Sequence, residues 1–209
     1  MQNTSHAVMA QRVEPRDSLD DFPTPPWATR ALLEHVIETS INGLSCLEPA
    51  CGRGHMAVPL AEYFDVVGSQ DIADYGYGKI QDYLTYTPDR NWDWIITNPP
   101  FRLAEEFILK AIQEAQRGCA FLVRTTFLES VGRYSRLFVN DPPSIVAQFV
   151  ERVPMIKGRL DPKATTATGY CWLVWEGHKN VGTRLTWIPP CRRTLEKEKD
   201  YPRSQLLLV

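Results

Sequence analysis

The chain has 209 residues and a formal net charge of −2, and 44% of its residues are hydrophobic. This length and composition predict one soluble domain with a substantial core. Because the net charge is slightly negative, affinity for nucleic acid would have to come from a local basic patch. No apolar run approaches the ~20 residues of a membrane-spanning helix, which argues against a membrane protein.

The cysteines are odd in number and contain no C-x-x-C pair, which favours reduced thiols over a disulfide framework. Cys51 and His55 are four residues apart, but two potential ligands without a second pair are a weak metal signal. We therefore expect no metal site. The five cysteines are Cys46, Cys51, Cys119, Cys171 and Cys191.

The amino-terminal residues to about Ser18 are polar and lack hydrophobic periodicity, as is typical of a mobile arm. A proline-rich segment, 21–27, follows. Within it, Thr24 is a good N-cap residue and Pro25 suits the first helical position. Apolar residues then recur at helical spacing and predict an amphipathic helix; they are Trp27, Ala31, Leu32, Val36 and Ile37.

A strand, a glycine turn and a helix are predicted in succession after residue 44. The strand covers 44–47, and the turn is Glu48-Pro49-Ala50-Cys51-Gly52-Arg53-Gly54. Glycines let the backbone approach a ligand, and a helix start presents free N–H groups, so this layout favours a nucleotide-type site. A second strand from Val66 ends near Asp71. That carboxylate either binds the hydroxyls of a ribose or is a solvated strand end.

The stretch Thr97-Asn98-Pro99-Pro100-Phe101 ends a further strand, 93–97, because two prolines cannot continue it. In the simpler interpretation it is a strand terminator with an incidental asparagine. In the functional one it is a pocket for the amino group of a planar substrate. The Asn98 side chain and a nearby peptide carbonyl would accept its two N–H bonds, and Phe101 would stack on its ring.

The second half of the chain alternates helices and strands. A core helix is predicted from Leu103 to Ala115 and another over 128–139; strands are predicted at 119–123, 144–150, 170–175 and, at an edge, 184–188. The segment 157–169 is a long basic loop, and loops of this length are usually functional or mobile. Residues 206–209 could dock on the domain. The alternation predicts a doubly wound α/β sheet that binds ligands at the carboxyl ends of its strands.

With these motifs, the chain resembles the S-adenosylmethionine-dependent N6-adenine DNA methyltransferases, in particular short, single-domain forms from phages and prophages. Asn98-Pro99-Pro100-Phe101 is similar to their catalytic motif, and residues 47–54 are similar to their cofactor motif. Residues 22–27 resemble the cofactor motif that comes first in the gamma arrangement. The resemblance implies a seven-stranded Rossmann-like sheet with an antiparallel hairpin made by the last strand.

The resemblance also implies roles for individual residues. Asn98, Pro99, Pro100 and Phe101 would bind the target adenine, which is flipped out of duplex DNA. S-adenosylmethionine would contact residues of the two cofactor motifs and of the strand ends beyond them, namely Phe22, Thr24, Glu48, Pro49, Ala50, Cys51, Gly52, Gly54, Asp71, Ile72, Asp82, Tyr83 and Leu84. Basic residues after the catalytic motif would contact DNA phosphates; they are Arg124, Arg133, Arg136, Lys157, Arg159 and Lys163.

The expected organisation is a flexible arm over 1–20, a methyltransferase catalytic domain over 21–190 and a charged carboxy-terminal tail over 191–209. The expected location is the cytoplasm of a bacterium or a phage-infected host. Two features depart from the family: there is no room for a separate target-recognition domain, and loop 157–169 has no aromatic residue to cover the second face of the flipped base.

Three alternatives remain open. The same chemistry could act on RNA or on a protein glutamine, although few residues precede Glu48 to recognise a protein. A nicotinamide oxidoreductase would account for Gly52-x-Gly54-x-x-Ala57, but this match alone is weak and leaves the Asn-Pro-Pro loop unexplained. A non-catalytic nucleic-acid-binding protein on the same scaffold would not need an intact Asn98.

Overall fold

The computed structural model describes residues 20–88, 90–177 and 182–201. The predicted amino-terminal arm, apart from Asp20, and the predicted docking of residues 206–209 lie outside these ranges. Within them, five α-helices and eight strands follow in the order α1 Pro26–His35, β1 Ser45–Glu48, α2 Ala57–Leu60, β2 Val66–Asp71, β3 Lys79–Ile80, β4 Trp94–Thr97, α3 Ala104–Glu114, β5 Gly118–Arg124, α4 Val131–Arg133, β6 Ile145–Phe149, β7 Tyr170–Glu176, β8 Arg184–Ile188 and α5 Arg192–Leu195.

The strands form one mixed sheet in the order β3-β2-β1-β4-β5-β7-β6-β8. Strand β7 pairs antiparallel with both β5 and β6, and the other pairings are parallel. The predicted α/β fold is therefore confirmed, but with eight strands in the described residues rather than seven. The prediction that the last strand is antiparallel is wrong. The antiparallel strand is β7, and the last strand, β8, pairs parallel with β6 at the edge of the sheet.

The sheet is covered on both faces, and strand β5 shows how its sequence achieves this. Its side chains alternate between two cores, because successive residues of a strand point to opposite faces. Ala120 and Leu122 pack with α1, whereas Cys119, Phe121 and Val123 pack with α3. Helix α3 contributes a continuous apolar stripe, Ala104, Phe107, Ile108 and Ala111, as its helical spacing predicts.

Two local predictions are wrong. The N-cap of α1 is Pro25, not Thr24, and the helix begins at Pro26. A proline disfavours the helical conformation in the residue before it, which leaves Pro25 extended at ψ 130°. The predicted helix over 128–139 is instead a 3₁₀ turn, the short helix α4 and a π turn. Ser130 starts this new helical segment by accepting a hydrogen bond from the Arg133 N–H at 3.3 Å.

Residues 191–201, assigned to the charged tail in the sequence, pack against α1 through a buried arginine. Arg30 is 1% exposed. Its guanidinium donates to both Asp200 oxygens at 2.8 Å, to both Glu62 oxygens and to the Leu195 carbonyl. These bonds satisfy all three guanidinium nitrogens, so the ion pairs compensate the cost of burying the charge.

We expect Arg30→Ala to lower the free energy of unfolding by about 3–5 kcal/mol, because it leaves Asp200 buried without its counter-charge. Urea denaturation monitored by circular dichroism measures the change. Arg184→Ala is the matched control, since it breaks an exposed pair with Glu38 that is expected to contribute about 0–1 kcal/mol. Equal effects of the two substitutions would show that the Arg30 cluster does not hold the carboxy-terminal segment.

Candidate active site

The carboxyl ends of β1, β2 and β4 open into one cleft of about 1350 Å³, counting its open mouth. Most of the predicted cofactor residues line this cleft, namely Phe22, Thr24, Glu48, Pro49, Ala50, Cys51, Gly52, Asp71, Ile72, Asp82 and Tyr83. Gly54 and Leu84 do not. Leu84 packs partly buried against the core beneath α3. The cofactor residues that line the cleft thus lie together at the carboxyl ends of the strands, as the sequence predicts.

The glycine turn after β1 is fixed by its contact with the end of β2. Gly52 and Gly54 have φ values of 49° and 82°, which side-chain-bearing residues rarely adopt. The Gly52 N–H donates to Asp71 Oδ2 at 2.9 Å, and a Cβ on Gly54 would lie 2.6 Å from the Tyr77 ring. Gly54 therefore allows the turn to pack closely against Tyr77.

Asp71 and Asp82 both use their carboxylates to hold local backbone. Asp71 Oδ1 accepts the Ala73 N–H at 3.0 Å, in addition to the Gly52 bond. Asp82 Oδ1 accepts the Leu84 N–H at 3.0 Å, and its Oδ2 accepts the Thr85 hydroxyl at 3.2 Å. Each carboxylate oxygen has two lone-pair sites, so both side chains keep capacity for a ligand in the cleft.

Glu48 is an acid buried in the wall of the cleft, with 1% of its surface exposed. Its Oε1 accepts the hydroxyl of the fully buried Thr97 at 2.8 Å, which joins the end of β1 to the end of β4. Its Oε2 is buried and has no hydrogen-bond partner among the described residues. Burial raises the pKa of Glu48 to about 8, and the nearby charge of Asp71 adds to this.

A segment that we call the strap, residues 20–24, crosses the cleft and contacts three loops. Asp21 forms an ion pair with Arg53 of the glycine turn at 2.8 Å, and its carbonyl accepts the Gly158 N–H at 2.8 Å. Asp20 Oδ2 accepts the Phe101 N–H at 2.9 Å. The strap therefore links the glycine turn, the Asn-Pro-Pro-Phe loop and the long basic loop.

The strap also sets the orientation of the Asn98 side chain. Asn98 Nδ2 donates to the Phe22 carbonyl at 3.0 Å and lies 3.6 Å from the Met155 sulfur. Its Oδ1 is buried without a partner among the described residues. A buried acceptor with no donor is costly, so its retention beside a cleft is typical of a ligand-binding atom.

The Asn-Pro-Pro-Phe loop separates the cleft from a second cavity of about 500 Å³. Asn98 and Pro100 line the cleft, whereas Pro99 and Phe101 line the second cavity. The Phe101 ring packs against Phe22 with centroids 5.4 Å apart. The Arg124 guanidinium lies over the same ring, 4.0 Å from its centroid. One short loop thus contacts both spaces.

At least three of the six predicted phosphate-binding residues form hydrogen bonds or ion pairs within the chain. Arg133 donates to the Phe127 carbonyl at 2.7 Å, Arg136 pairs with Glu105 at 2.8 Å, and Arg159 lies 3.4 Å from Asp161. Arg124 is held only by the Phe101 ring, as far as the contacts of the described residues show. The side chains of Lys157 and Lys163 are exposed on the long loop, which returns to the sheet edge where Tyr170 pairs with Arg124.

Several cleft residues were not predicted from the sequence. Those nearest the predicted motifs are Asp20, Asp21, Pro23, Arg53, His55 and Met56, and the remainder are Tyr75, Arg102, Leu103 and Phe107. Leu103 was predicted to be core, yet it is 41% exposed at the cleft. Proximity to a motif could have identified the first group. Arg102 and Leu103 directly follow Phe101 and could have been identified in the same way. Tyr75 reaches the cleft from a loop and Phe107 from helix α3, and hydrophobic periodicity identifies neither.

All five cysteines are free and buried. Burial, together with the charges of Glu48 and Asp71, raises the pKa of Cys51 to about 12, so its thiol stays protonated at neutral pH. The part of the chain that the structure describes contains no group of three His, Cys, Asp or Glu side chains suited to a metal ion. It also contains no helix that is long and apolar enough to cross a bilayer.

The chain matches no known protein-family profile and no curated protein sequence. Its fold is similar to a protein assigned as the modification subunit of a type I restriction enzyme from Vibrio vulnificus, with 17% identity, a TM-score of 0.56, and coverage of 74% of this chain and 44% of that one. It is also similar to the methyltransferase subunit of a type I restriction-modification system from Streptococcus thermophilus, with 12% identity, a TM-score of 0.55, and coverage of 78% and 46%.

A third similar structure is a protein assigned as an RNA methyltransferase from Pyrococcus horikoshii. It shares 17% identity and a TM-score of 0.58, and the match covers 78% of this chain and 91% of that chain. This chain spans less than half the length of the two restriction-system subunits. At these identities the likeness establishes the fold, which is the Rossmann-like α/β fold of methyltransferases.

The raised pKa of Glu48 predicts a pH-dependent cost to stability. Between pH 4.5 and about 8 the unfolded chain ionises this acid while the folded chain keeps it protonated, so its effect on folding becomes less favourable as pH rises through that window. Glu48→Gln removes the titration and keeps an acceptor for Thr97. We expect its melting temperature relative to wild type to rise between pH 5 and pH 9. A difference that is constant with pH would contradict the raised pKa.

Proposed function

We propose that this protein transfers a methyl group from S-adenosylmethionine to the N6 atom of adenine in DNA. The observation that carries the proposal is the buried, unpartnered Oδ1 of Asn98, in a side chain that lines the larger cleft and is oriented by the Phe22 carbonyl. An acceptor held in this way matches an amine donor. The cleft on one side fits a nucleoside cofactor, and the cavity on the other side contains the ring of Phe101.

The chemistry requires such an acceptor because the exocyclic nitrogen of adenine is a poor nucleophile, its lone pair being delocalised into the ring. Asn98 Oδ1 and the Pro99 carbonyl would accept the two N–H bonds of the amine and favour a pyramidal nitrogen. Both contacts strengthen as positive charge develops on that nitrogen, so they stabilise the transition state more than the ground state. No general base is required, because the methylated, cationic nitrogen is a strong acid.

The cleft residues fit S-adenosylmethionine. When bound, this cofactor supplies an electrophilic methyl group on a sulfonium. The unpartnered Oε2 of Glu48 would accept from the ammonium of its methionine part, which also explains why a buried acid is kept there. Asp71 would bind the ribose hydroxyls, Ile72, which is 59% exposed, would pack on the adenine ring, and Asp82 would accept from the adenine amino group.

DNA is proposed over RNA or protein as the substrate because the motif order resembles DNA methyltransferases. Two similar folds also belong to type I restriction systems. Lys157 and Lys163 are exposed on the loop that returns to the carboxyl-end edge of the sheet, where they would contact a phosphate backbone. The similarity to an RNA methyltransferase makes RNA the alternative that an experiment must address.

The direct test is incubation with cofactor carrying a tritiated methyl group and, separately, plasmid DNA free of methyladenine, total RNA and a protein mixture. The labelled polymer is digested and its nucleosides are identified by mass spectrometry. We expect label in DNA, as N6-methyldeoxyadenosine. Label in RNA or protein, or in another deoxynucleoside, would overturn the proposed substrate, and binding of cofactor without transfer to any polymer would overturn the enzymatic function.

Glu48→Gln should weaken cofactor binding by about 1–3 kcal/mol, because the cofactor ammonium would favour the ionised form of Glu48 and an amide cannot ionise. The same substitution is expected to stabilise the apoprotein at alkaline pH, so a loss of affinity cannot be attributed to unfolding. Isothermal titration calorimetry with S-adenosylmethionine measures the effect. An unchanged affinity would remove Glu48 from the cofactor site.

Asn98→Ala should slow single-turnover methylation by about 10²–10³-fold, the range for losing one preorganised polar group at a reacting centre. Asn98→Asp should slow it less, because an acceptor and a favourable negative charge remain. Cofactor affinity should stay close to the wild-type value in both variants. An alanine variant as fast as wild type would eliminate the amine-binding role of Asn98.

A further inference from the structure

Arg124 occupies an unusual position for an exposed arginine. It is the last residue of β5, and among the described residues no carboxylate lies within ion-pair distance of it. Its guanidinium carbon instead lies over the Phe101 ring, 4.0 Å from the ring centroid. A cation over an aromatic ring at an exposed site is held weakly, so the side chain is free to move away from the ring.

The second cavity lies beside both Phe101 and Arg124. The second cavity is lined by Pro99, Phe101 and Arg124, whereas Phe22 faces the cofactor cleft and is absent from that cavity. This cavity therefore offers a base a path to Phe101 outside the larger cleft. The cavity also contains Pro99, whose carbonyl belongs to the amine site proposed above. The second cavity could therefore hold the planar ring of the target base.

We propose that Arg124 forms the second face of the substrate pocket, so that the target base is held between the Phe101 ring and the Arg124 guanidinium. This inference rests on the proposed function and deepens it. The base-free protein has the two planar groups in direct contact. A base inserted between them needs two stacking distances of about 3.5 Å, or about 7 Å in total, so Arg124 must withdraw by ~3 Å.

The chemistry of arginine suits this role. Its guanidinium is planar and weakly hydrated, and it stacks on aromatic rings and on nucleobases. Lysine carries the same charge as a compact ammonium group without a flat face. Because positive charge develops on the amine during transfer, the charge of Arg124 is not what assists the reaction. Planarity is the property that matters, and a neutral aromatic side chain should replace it.

The assignment differs from the phosphate contact that the sequence suggests for Arg124. A phosphate contact depends on charge, tolerates lysine and contributes about one unit to the salt dependence of DNA binding. A stacking contact depends on shape, tolerates phenylalanine and leaves the salt dependence nearly unchanged. The two roles therefore predict opposite orders for the same substitutions.

The test compares Arg124→Ala, Arg124→Lys and Arg124→Phe with wild type, using plasmid DNA free of methyladenine as the substrate. Steady-state methylation gives kcat/KM, and DNA affinity is measured at several salt concentrations. We expect the Ala and Lys variants to lose about 10- to 100-fold in kcat/KM, the range for losing one base-stacking partner. The Phe variant should stay within about threefold of wild type, with the salt slope of wild type.

Arg117→Ala is the matched control, because Arg117 is an exposed arginine beside the opposite end of β5 and pairs with Asp93 at 3.4 Å. It should keep wild-type activity. Melting curves confirm that every variant is folded. The inference is overturned if the Lys variant is at least as active as the Phe variant, or if the Ala variant keeps wild-type kcat/KM. A wild-type protein that does not methylate DNA would refute the proposed function itself, which the order among the variants does not test.

Discussion

The hydrogen bond from Asn98 Nδ2 to the Phe22 carbonyl is the constraint on which the site depends. An asparagine amide can present either its oxygen or its nitrogen to a substrate, and this bond fixes the oxygen as the free group. The bond joins a residue of the strap to the end of β4, which lie 76 positions apart in the chain. Pro23 follows Phe22, and Pro99 and Pro100 follow Asn98, so prolines limit the backbone freedom of both bonded segments. The Asn98 oxygen is therefore held in one orientation by the protein itself.

This bond also couples the two cavities. The strap forms part of the wall of the cofactor cleft, and through Phe22 and Asp20 it holds both Asn98 and Phe101. The Thr97–Glu48 hydrogen bond makes a second connection between the wall of the cleft and the strand that ends in the Asn-Pro-Pro-Phe loop. The shape of the cleft and the position of Asn98 Oδ1 thus depend on the same few contacts. A site oriented in this way lowers the stability of the folded protein, because the oxygens Glu48 Oε2 and Asn98 Oδ1 are buried without hydrogen-bond partners among the described residues.

The sequence predicts the layered fold well, because buried strands such as β5 are continuous apolar runs bounded by turn residues. The position of the cleft follows from strand order, since parallel strands bring their carboxyl ends to one edge. The start of α1 was misplaced because Pro26 acts on Pro25, a local effect that overrides the capping preference of Thr24. The extra strand is β3, Lys79–Ile80, whose two residues are too short a run to be predicted from the sequence, whereas β8 was predicted but its parallel pairing with β6 required the spatial order of the sheet.

The site was predicted in part. Motif residues reached the cleft, whereas the group that orients Asn98 is a backbone carbonyl, which carries no sequence signature. Leu84 follows Asp82 and Tyr83 in the chain but points into the core, because the turn that begins at Asp82 directs it inward. As a basic residue after the Asn-Pro-Pro-Phe motif, Arg124 was predicted to contact phosphate. Only its position over the Phe101 ring suggests a stacking role.

The most direct test of the central claim is a crystal structure with a non-reactive cofactor analogue and an adenine-containing DNA duplex. The account predicts the analogue in the larger cleft and the flipped adenine in the smaller cavity. Its N6 atom should lie within hydrogen-bond distance of both Asn98 Oδ1 and the Pro99 carbonyl. An adenine bound elsewhere, or an Asn98 side chain that turns its nitrogen to the base, would contradict the account.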